Sequence, residues 1–172
     1  QRQMCIRDSG RKYTDKNIYV VGGADGAVKE ALYLSKFAKQ VTIIHFEDTL
    51  GCIEEFKNKA EQTPNIKLRL GSRLHAVYGA EQVEAFEISD EKTGSVEKIA
   101  DCGCGIFVYA GTTPNTELYS ELELDNGVIP VDENMETNIA GVYAVGDIRV
   151  KQVRQVSTAV ADGTVAGIHL AK

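Results

Sequence analysis

The stretch "IYVVGGADGAVKEALYLSKFA" (residues 18–38) decides the fold. Its first four residues are β-branched or aromatic and run into two glycines, which predicts a buried strand that enters a tight turn. Apolar residues then recur at roughly helical spacing, and Asp25 stands where a helix N-cap would stand. The stretch therefore predicts a strand, a glycine-rich turn and a helix, the opening unit of a Rossmann-type domain.

Strands and helices continue to alternate as far as residue 70. The segments "VTIIHF" (41–46) and "IKLRL" (66–70) are apolar and predict strands, and "LGCIEEFKNKAEQ" (50–62) predicts a more polar helix that stops near Pro64. Strands that alternate with helices through short links predict a doubly wound parallel sheet.

The pattern changes after this parallel unit. Three segments with turns between them alternate in polarity, which predicts an antiparallel meander inserted in the domain: "RLHAVYG" (73–79), "QVEAFEIS" (82–89) and "VEKIA" (96–100). The segment "CGIFVYAG" (104–111) then returns to a continuous buried strand.

A second domain is expected to begin at a hinge near "GTTPN" (111–115). The elements expected beyond the hinge are a short helix over residues 116–122, strands over 128–131 and 141–146, and a final helix from about Val156. These elements are too few to close a core alone. We therefore expect an α/β protein with a three-layer Rossmann-like domain (10–113) and the C-terminal part of a second Rossmann-like domain (114–172).

Composition and charge exclude several classes of protein. The chain has 172 residues, 43% of them hydrophobic, which is enough for a core, and no long apolar run that would span a membrane. A net charge of −6 argues against a nucleic-acid-binding surface. No signal-peptide pattern is present, so a cytoplasmic location is expected. Residues 1–9, "QRQMCIRDS", resemble a translated sequencing adaptor, and we expect the native sequence to start near Gly10.

The cysteines and histidines do not have the spacing of metal ligands, so no metal site is expected. Cys102 and Cys104 would lie on one face of an extended strand, where they could be either a redox pair or two small buried thiols. Cys52 is expected to be a structural residue on the second helix.

The run "GVYAVGDIRVKQVRQVSTAVADG" (141–163) predicts a strand, a Gly-Asp turn, a polar loop and a helix. Together with residues 18–38, it resembles the thioredoxin-reductase-like flavoproteins, and the resemblance covers nearly all of residues 10–172. It implies an FAD site in which the Asp147 carboxylate accepts a ribityl hydroxyl and a helix N-terminus faces the flavin. The first half of such a site is not in these 172 residues. The alternative is an aspartate that only caps a helix. The residues assigned to FAD are Gly146, Asp147, Arg154, Gln155 and Val156.

The resemblance also implies a pyridine-nucleotide site at the turn "GGADGA" (22–27). Gly22 and Ala27 fill the first and third roles of a dinucleotide turn, whereas Ala24 adds a methyl group where the phosphate would come close. Asp25 adds negative charge at a helix N-terminus that would bind the pyrophosphate. The alternative is a turn that needs glycine only for packing. The other residues assigned to this turn and to the end of the last strand are Gly23, Gly26 and Gly111.

At the end of the second strand, thioredoxin reductases have a His-Arg-Arg run that holds the 2′-phosphate of NADPH. The matching residues here are His45, Phe46 and Glu47, with Gly51 in place of a later arginine. A carboxylate repels phosphate, so we do not expect NADPH to be favoured. Glu47 could instead accept hydrogen bonds from the ribose of NADH, or it could be a solvated loop residue.

The function that the resemblance implies is that of an FAD-dependent disulfide reductase. Electrons would pass from NADH, NADPH or, in their place, ferredoxin to FAD, then to a Cys-x-x-Cys pair and to a thioredoxin-like protein. The pair would fall at positions 5 and 8, which are Cys5 and Asp8, so we assign no catalytic residue. Alternatives are a ferredoxin– or flavodoxin–NAD(P) reductase and a non-catalytic docking module. The full-length parent is expected to be a homodimer.

Overall fold

A parallel sheet of four strands organises the first part of the chain. The computed structural model describes residues 9–171. The strands are β1 (Asn17–Val21), β2 (Gln40–Ile44), β3 (Ile66–Arg69), β4 (Ser72–Tyr78), β5 (Ala85–Asp90), β6 (Val96–Ala100) and β7 (Gly105–Val108). The α-helices are α1 (Asp25–Leu34), α2 (Glu54–Gln62) and α3 (Val156–Leu170), and short 3₁₀ helices cover Arg11–Tyr13 and Gly146–Ile148.

The parallel sheet has the strand order β3-β2-β1-β7, so β1 lies between the strand that follows α1 and the strand that follows the meander. The inward-facing residues of β1 and β2 are fully buried against α1, and this core includes Ile18, Val20, Val41, Ile43 and Val28. A sheet covered in this way needs apolar strands, which explains the apolar runs in the sequence.

The meander forms a separate antiparallel sheet of order β4-β5-β6. A bulge interrupts the pairing of β4 with β5 between Leu74 and Ala76. Phe86 and Ile88 of β5 are buried, and the ring of Phe86 lies 4.4 Å from that of Tyr19. The predicted α/β fold with an inserted antiparallel meander is confirmed.

The two helices of the parallel unit do not begin where the sequence pattern predicts, because α1 begins one residue earlier and α2 four residues later. The N-cap of α1 is Ala24, so the prediction of Asp25 as N-cap is wrong. Asp25 is the first helical residue, and its Oδ1 accepts a hydrogen bond of 2.8 Å from the N–H of Ile53. Ile53 is in turn the N-cap of α2 and has extended backbone angles, so α2 begins at residue 54 rather than at residue 50.

The chain divides into two compact units, one up to Gly111 and the other from Thr112 onward. Residues 116–122 of the second unit form turns, so the helix predicted there is wrong. The strands predicted over 128–131 and 141–146 are reduced to isolated bridges. A strand forms only where a neighbouring strand pairs with its backbone groups, and a local sequence pattern does not show whether such a neighbour is present. The bridges are Asp125–Val128, Ile129–Arg149 and Glu136–Tyr143. The assignment of the units to a nucleotide domain and an FAD domain stays a prediction.

Candidate functional site

A cavity of about 340 Å³ opens at the carboxyl ends of β1, β2 and β7 and at the start of β4. The strand order reverses between β1 and β7, and ligands of doubly wound sheets bind at such a point. The cavity is lined by six residues that the sequence assigns to the nucleotide: Gly22, Gly23, Ala24, His45, Phe46 and Gly111. Three assigned residues, Asp25, Gly26 and Glu47, are not among the residues that line it.

Packing requires glycine at some positions of the turn and not at others. Gly22 has a φ of +133°, and a Cβ added there would lie 2.4 Å from the backbone oxygen of Tyr109. A Cβ added at Gly23 would lie 2.4 Å from the ring of His45. Around Gly26, in contrast, no atom lies within 4 Å of an added Cβ. Packing therefore requires the first two glycines, whereas Gly26 leaves the N-terminus of α1 uncovered.

His45 is buried under the turn, with 6% of its surface exposed. Its Nε2 lies 3.1 Å from Oε2 of Glu47. A carboxylate only accepts hydrogen bonds, so Nε2 donates in this contact, and in the tautomer with its proton on Nε2 the other ring nitrogen, Nδ1, is an acceptor. This Nδ1 is buried and has no hydrogen-bond partner among residues 9–171. Glu47 is thus bonded to His45, and its proposed contact with a ribose stays a prediction.

Arg73, on β4, also lines the cavity, and the sequence analysis missed it. Its guanidinium carbon lies 4.3 Å from the centroid of the Phe46 ring, and its Nε lies 2.9 Å from Oε2 of Glu91. A cation at this distance from an aromatic face is attracted to it. The only local signal is an arginine at the start of the predicted meander, because the contact joins residues that are far apart in sequence.

Tyr109 completes the wall next to the glycine-rich turn. Its hydroxyl is buried with no hydrogen-bond partner in the described part of the chain. Burial, with a smaller contribution from the charge of Glu30, raises the pKa of Tyr109 to about 12. The hydroxyl therefore keeps its proton at neutral pH and can donate a hydrogen bond.

A second group of assigned residues lies in the C-terminal unit. Gly146 begins a 3₁₀ helix with a φ of +84°, which favours glycine. Gln155 is the N-cap of α3, and Val156, the first residue of that helix, is 82% exposed. Within residues 9–171, the side chains of Asp147 and Arg154 have no hydrogen-bond or ion-pair partner. These side chains are therefore free to bind a ligand.

Asp162, a buried residue of α3, binds the Gly146–Asp147 turn to that helix, and its role is not among the predictions made from the sequence. Asp162 accepts hydrogen bonds from the N–H of Gly146 (3.0 Å), from Nε of Arg149 (2.8 Å) and from Nζ of Lys151 (2.6 Å). The Arg149 guanidinium, followed by Lys151 and the Gly146 N–H, holds the pKa of this carboxyl well below its usual range. The turn is therefore fixed to α3 by charge-assisted hydrogen bonds.

In the described part of the chain, Cys52, Cys102 and Cys104 are free thiols. Cys102 is exposed, and its Sγ accepts a hydrogen bond from Gln82, whereas Cys104 is buried. Gly103 between them has a φ of +77°, so the segment is a turn and the expectation of two buried thiols on one strand face is wrong for Cys102. Burial raises the pKa of the Cys104 thiol to about 11. Cys52 precedes α2 instead of lying on it. Cys5 and Asp8 lie outside the described residues.

Within residues 9–171, no three side chains of His, Cys, Asp or Glu come together as a group that could hold a metal ion. No helix in this range is both long enough and apolar enough to cross a membrane.

Comparison with known proteins identifies the family. Residues 5–163 match the family model described as pyridine nucleotide-disulphide oxidoreductase. The chain belongs to this family. One member, the thioredoxin reductase of Peptoclostridium litorale, is 39% identical over 98% of the chain and 55% of its own length. The "34.2 kDa protein in rubredoxin operon" of Clostridium pasteurianum is also 39% identical, over 98% of the chain and 54% of its own length.

A solved structure in the same family shows the same fold. The crystal structure of Lactococcus lactis thioredoxin reductase in its FR conformation matches with a TM-score of 0.85 and 36% identity, over 97% of the chain and 55% of that protein. The resemblance to thioredoxin reductases inferred from the sequence is confirmed. The chain spans about half the length of the relatives that it matches.

Proposed function

We propose that this chain is part of an FAD-dependent disulfide reductase that takes electrons from NADH or NADPH. The observation that carries the proposal is the cavity of about 340 Å³ at the reversal of strand order, because six residues assigned to the nucleotide line it. The proposal is supported by the similarity of 98% of the chain to a thioredoxin reductase.

The pyridine nucleotide would lie along the glycine-rich turn, with its pyrophosphate near the N-terminus of α1. This helix end offers unpaired N–H groups and partial positive charge. The open space at Gly26 supports a close approach, and the bond from Ile53 to Asp25 partly offsets the negative charge there. The Nδ1 of His45 and the hydroxyl of Tyr109 are an acceptor and a donor that lack protein partners.

The assigned residues of the second unit would form one side of an FAD site. The Asp147 carboxylate would accept hydrogen bonds from the ribityl chain, and the exposed N-terminus of α3 would face the flavin through Gln155 and Val156. The carboxylate is free for this role, because Asp162 makes the bonds that hold the turn. FAD, when bound there, would supply the two-electron chemistry that links a pyridine nucleotide to the reduction of a disulfide.

The rest of the proposed reaction lies outside this site. Electrons would go to a Cys-x-x-Cys pair and then to a thioredoxin-like protein by thiol–disulfide exchange. Within residues 9–171 the cysteines are Cys52, Cys102 and Cys104, none of which has that spacing. We also propose that the full-length parent is a homodimer and acts in the cytoplasm.

Isothermal titration of the whole chain with NADH and NADPH tests the nucleotide site. Gly26→Gln should weaken the binding of whichever nucleotide binds by at least about tenfold, because the new side chain covers the N-terminus of α1. Gly167→Gln is the matched control, since Gly167 is also a helical glycine with open space around it, on α3. If neither nucleotide binds the wild-type chain, or if both variants bind equally well, the proposed site is wrong.

A further inference from the structure

Arg73 is the one permanently charged side chain among the described residues that line the cavity. It reaches the cavity from β4, in the antiparallel sheet, and not from the end of β2. Its side chain is half exposed, so a ligand can reach it from solvent. The expectation that NADPH is not favoured rests on Phe46 and Glu47, two residues that follow β2. A cation that reaches the cavity from another strand changes this expectation.

The surroundings of Arg73 hold its guanidinium beside the Phe46 ring and leave part of it free. The guanidinium carbon lies 4.3 Å from the centroid of that ring, and Nε lies 2.9 Å from Oε2 of Glu91. The terminal nitrogens, Nη1 and Nη2, have no hydrogen-bond partner within residues 9–171. A planar guanidinium with two free N–H groups matches the oxygens of a phosphate.

The nearby acidic side chains of the loop after β2 are already paired. Glu47 accepts from His45, and Asp48 lies 2.8 Å from Nζ of Lys92. Glu91 remains a partner of Arg73, but this pair is exposed to solvent on both sides and is therefore weak. The charge that an incoming phosphate meets first is that of Arg73.

We propose that Arg73 is the specificity-determining residue for the adenosine end of the donor nucleotide, and that it selects a ribose 2′-phosphate over a bare ribose. The inference rests on the proposed function of the cavity. It makes NADPH the favoured donor, because the guanidinium that the sequence lacks at Phe46 and Glu47 is supplied by a neighbouring strand.

The test is isothermal titration of the whole chain with adenosine 2′,5′-bisphosphate and with 5′-AMP, which differ only in the 2′-phosphate. The wild-type chain should bind the bisphosphate at least about tenfold more tightly than AMP. Arg73→Ala should abolish this preference, whereas the affinity for AMP should change by less than about threefold. Arg73→Lys should keep part of the preference, because lysine retains the positive charge but lacks the planar set of N–H donors that can bind two phosphate oxygens at once.

Arg69→Ala is the matched control, because Arg69 lies on β3, pairs with Glu97 at 2.7 Å and is not among the lining residues. It should keep the wild-type preference. If AMP and the bisphosphate bind the wild type equally, or if Arg73→Ala keeps the preference, the role of Arg73 is wrong while the nucleotide site stands. If neither ligand binds, both the site and the role of Arg73 are wrong.

Discussion

Gly22→Ala is expected to destabilise the first unit far more than Gly26→Ala, although both glycines belong to one turn. Gly22 has a φ of +133°, and an added Cβ would lie 2.4 Å from the backbone oxygen of Tyr109. Strain in a disfavoured backbone region costs about 1–3 kcal/mol, and forcing a methyl group into a packed site costs about 1–3 kcal/mol more. The expected loss of about 2–6 kcal/mol is a large part of the stability of an ordinary domain.

Gly26→Ala, in contrast, is not expected to destabilise the first unit. No atom lies within 4 Å of its added Cβ, and the residue is in the first turn of α1. Alanine is favoured over glycine inside a helix by up to about 1 kcal/mol, so this variant should be neutral or slightly more stable.

Native-state hydrogen exchange at the amides of β1 and β2 measures both effects in the first unit alone. Protection should collapse in Gly22→Ala and persist in Gly26→Ala. Protection in Gly22→Ala within about 0.5 kcal/mol of the wild type would refute the packing explanation of this turn.

Three further outcomes are expected. Asp162→Ala should speed amide exchange over residues 146–151 by at least about tenfold, because Lys151 and Arg149 lose their buried partner. Asp147→Ala should not speed this exchange, and equal effects of the two variants would contradict the hydrogen bonds assigned to Asp162. The folded pKa of Asp162 is depressed, so its contribution to stability should be complete above about pH 4 and should fall as the pH is lowered further. Protection of this segment, taken relative to the exchange rate of the unfolded chain at the same pH, should then fall in acid in the wild type but not in Asp162→Ala. The purified chain should be colourless, because the residues assigned to FAD would supply only one side of the proposed site, and near-equimolar bound flavin would contradict this expectation.

The elements of the first unit could be predicted because their signals are local. Apolar runs bounded by glycine and polar turns mark β1 to β7, and the period-2 segments mark the meander. The starts of α1 and α2 were not predicted correctly. Asp25, the expected N-cap of α1, instead accepts a hydrogen bond from Ile53, the N-cap of α2, and a local pattern does not reveal such a long-range bond. In the second unit, the segments around Ile129 and Tyr143 have the composition of strands, but each pairs through a single bridge instead of a ladder.

The site was partly predictable for the same reason. The glycine-rich turn and the end of β2 have recognisable local patterns, and the fold brings Gly22 and Phe46 to one cavity. The contacts of Arg73 and Asp162 could not be found in this way, since each side chain acts through residues that the fold brings close. For Asp162 a signal existed, because a charged residue interrupts a helix of small and apolar residues.

A two-dimensional ¹H–¹⁵N NMR titration of the chain with NADPH tests the nucleotide site most directly. Amide signals should shift at residues 22–26, 45–47, 72–74 and 109–111, and those of residues 146–162 should not. The shifts should become saturated, and the Arg73→Ala variant should need at least about tenfold more NADPH to reach the same occupancy. The absence of saturable shifts, or shifts confined to other parts of the chain, would contradict the assignment of this cavity to a pyridine nucleotide.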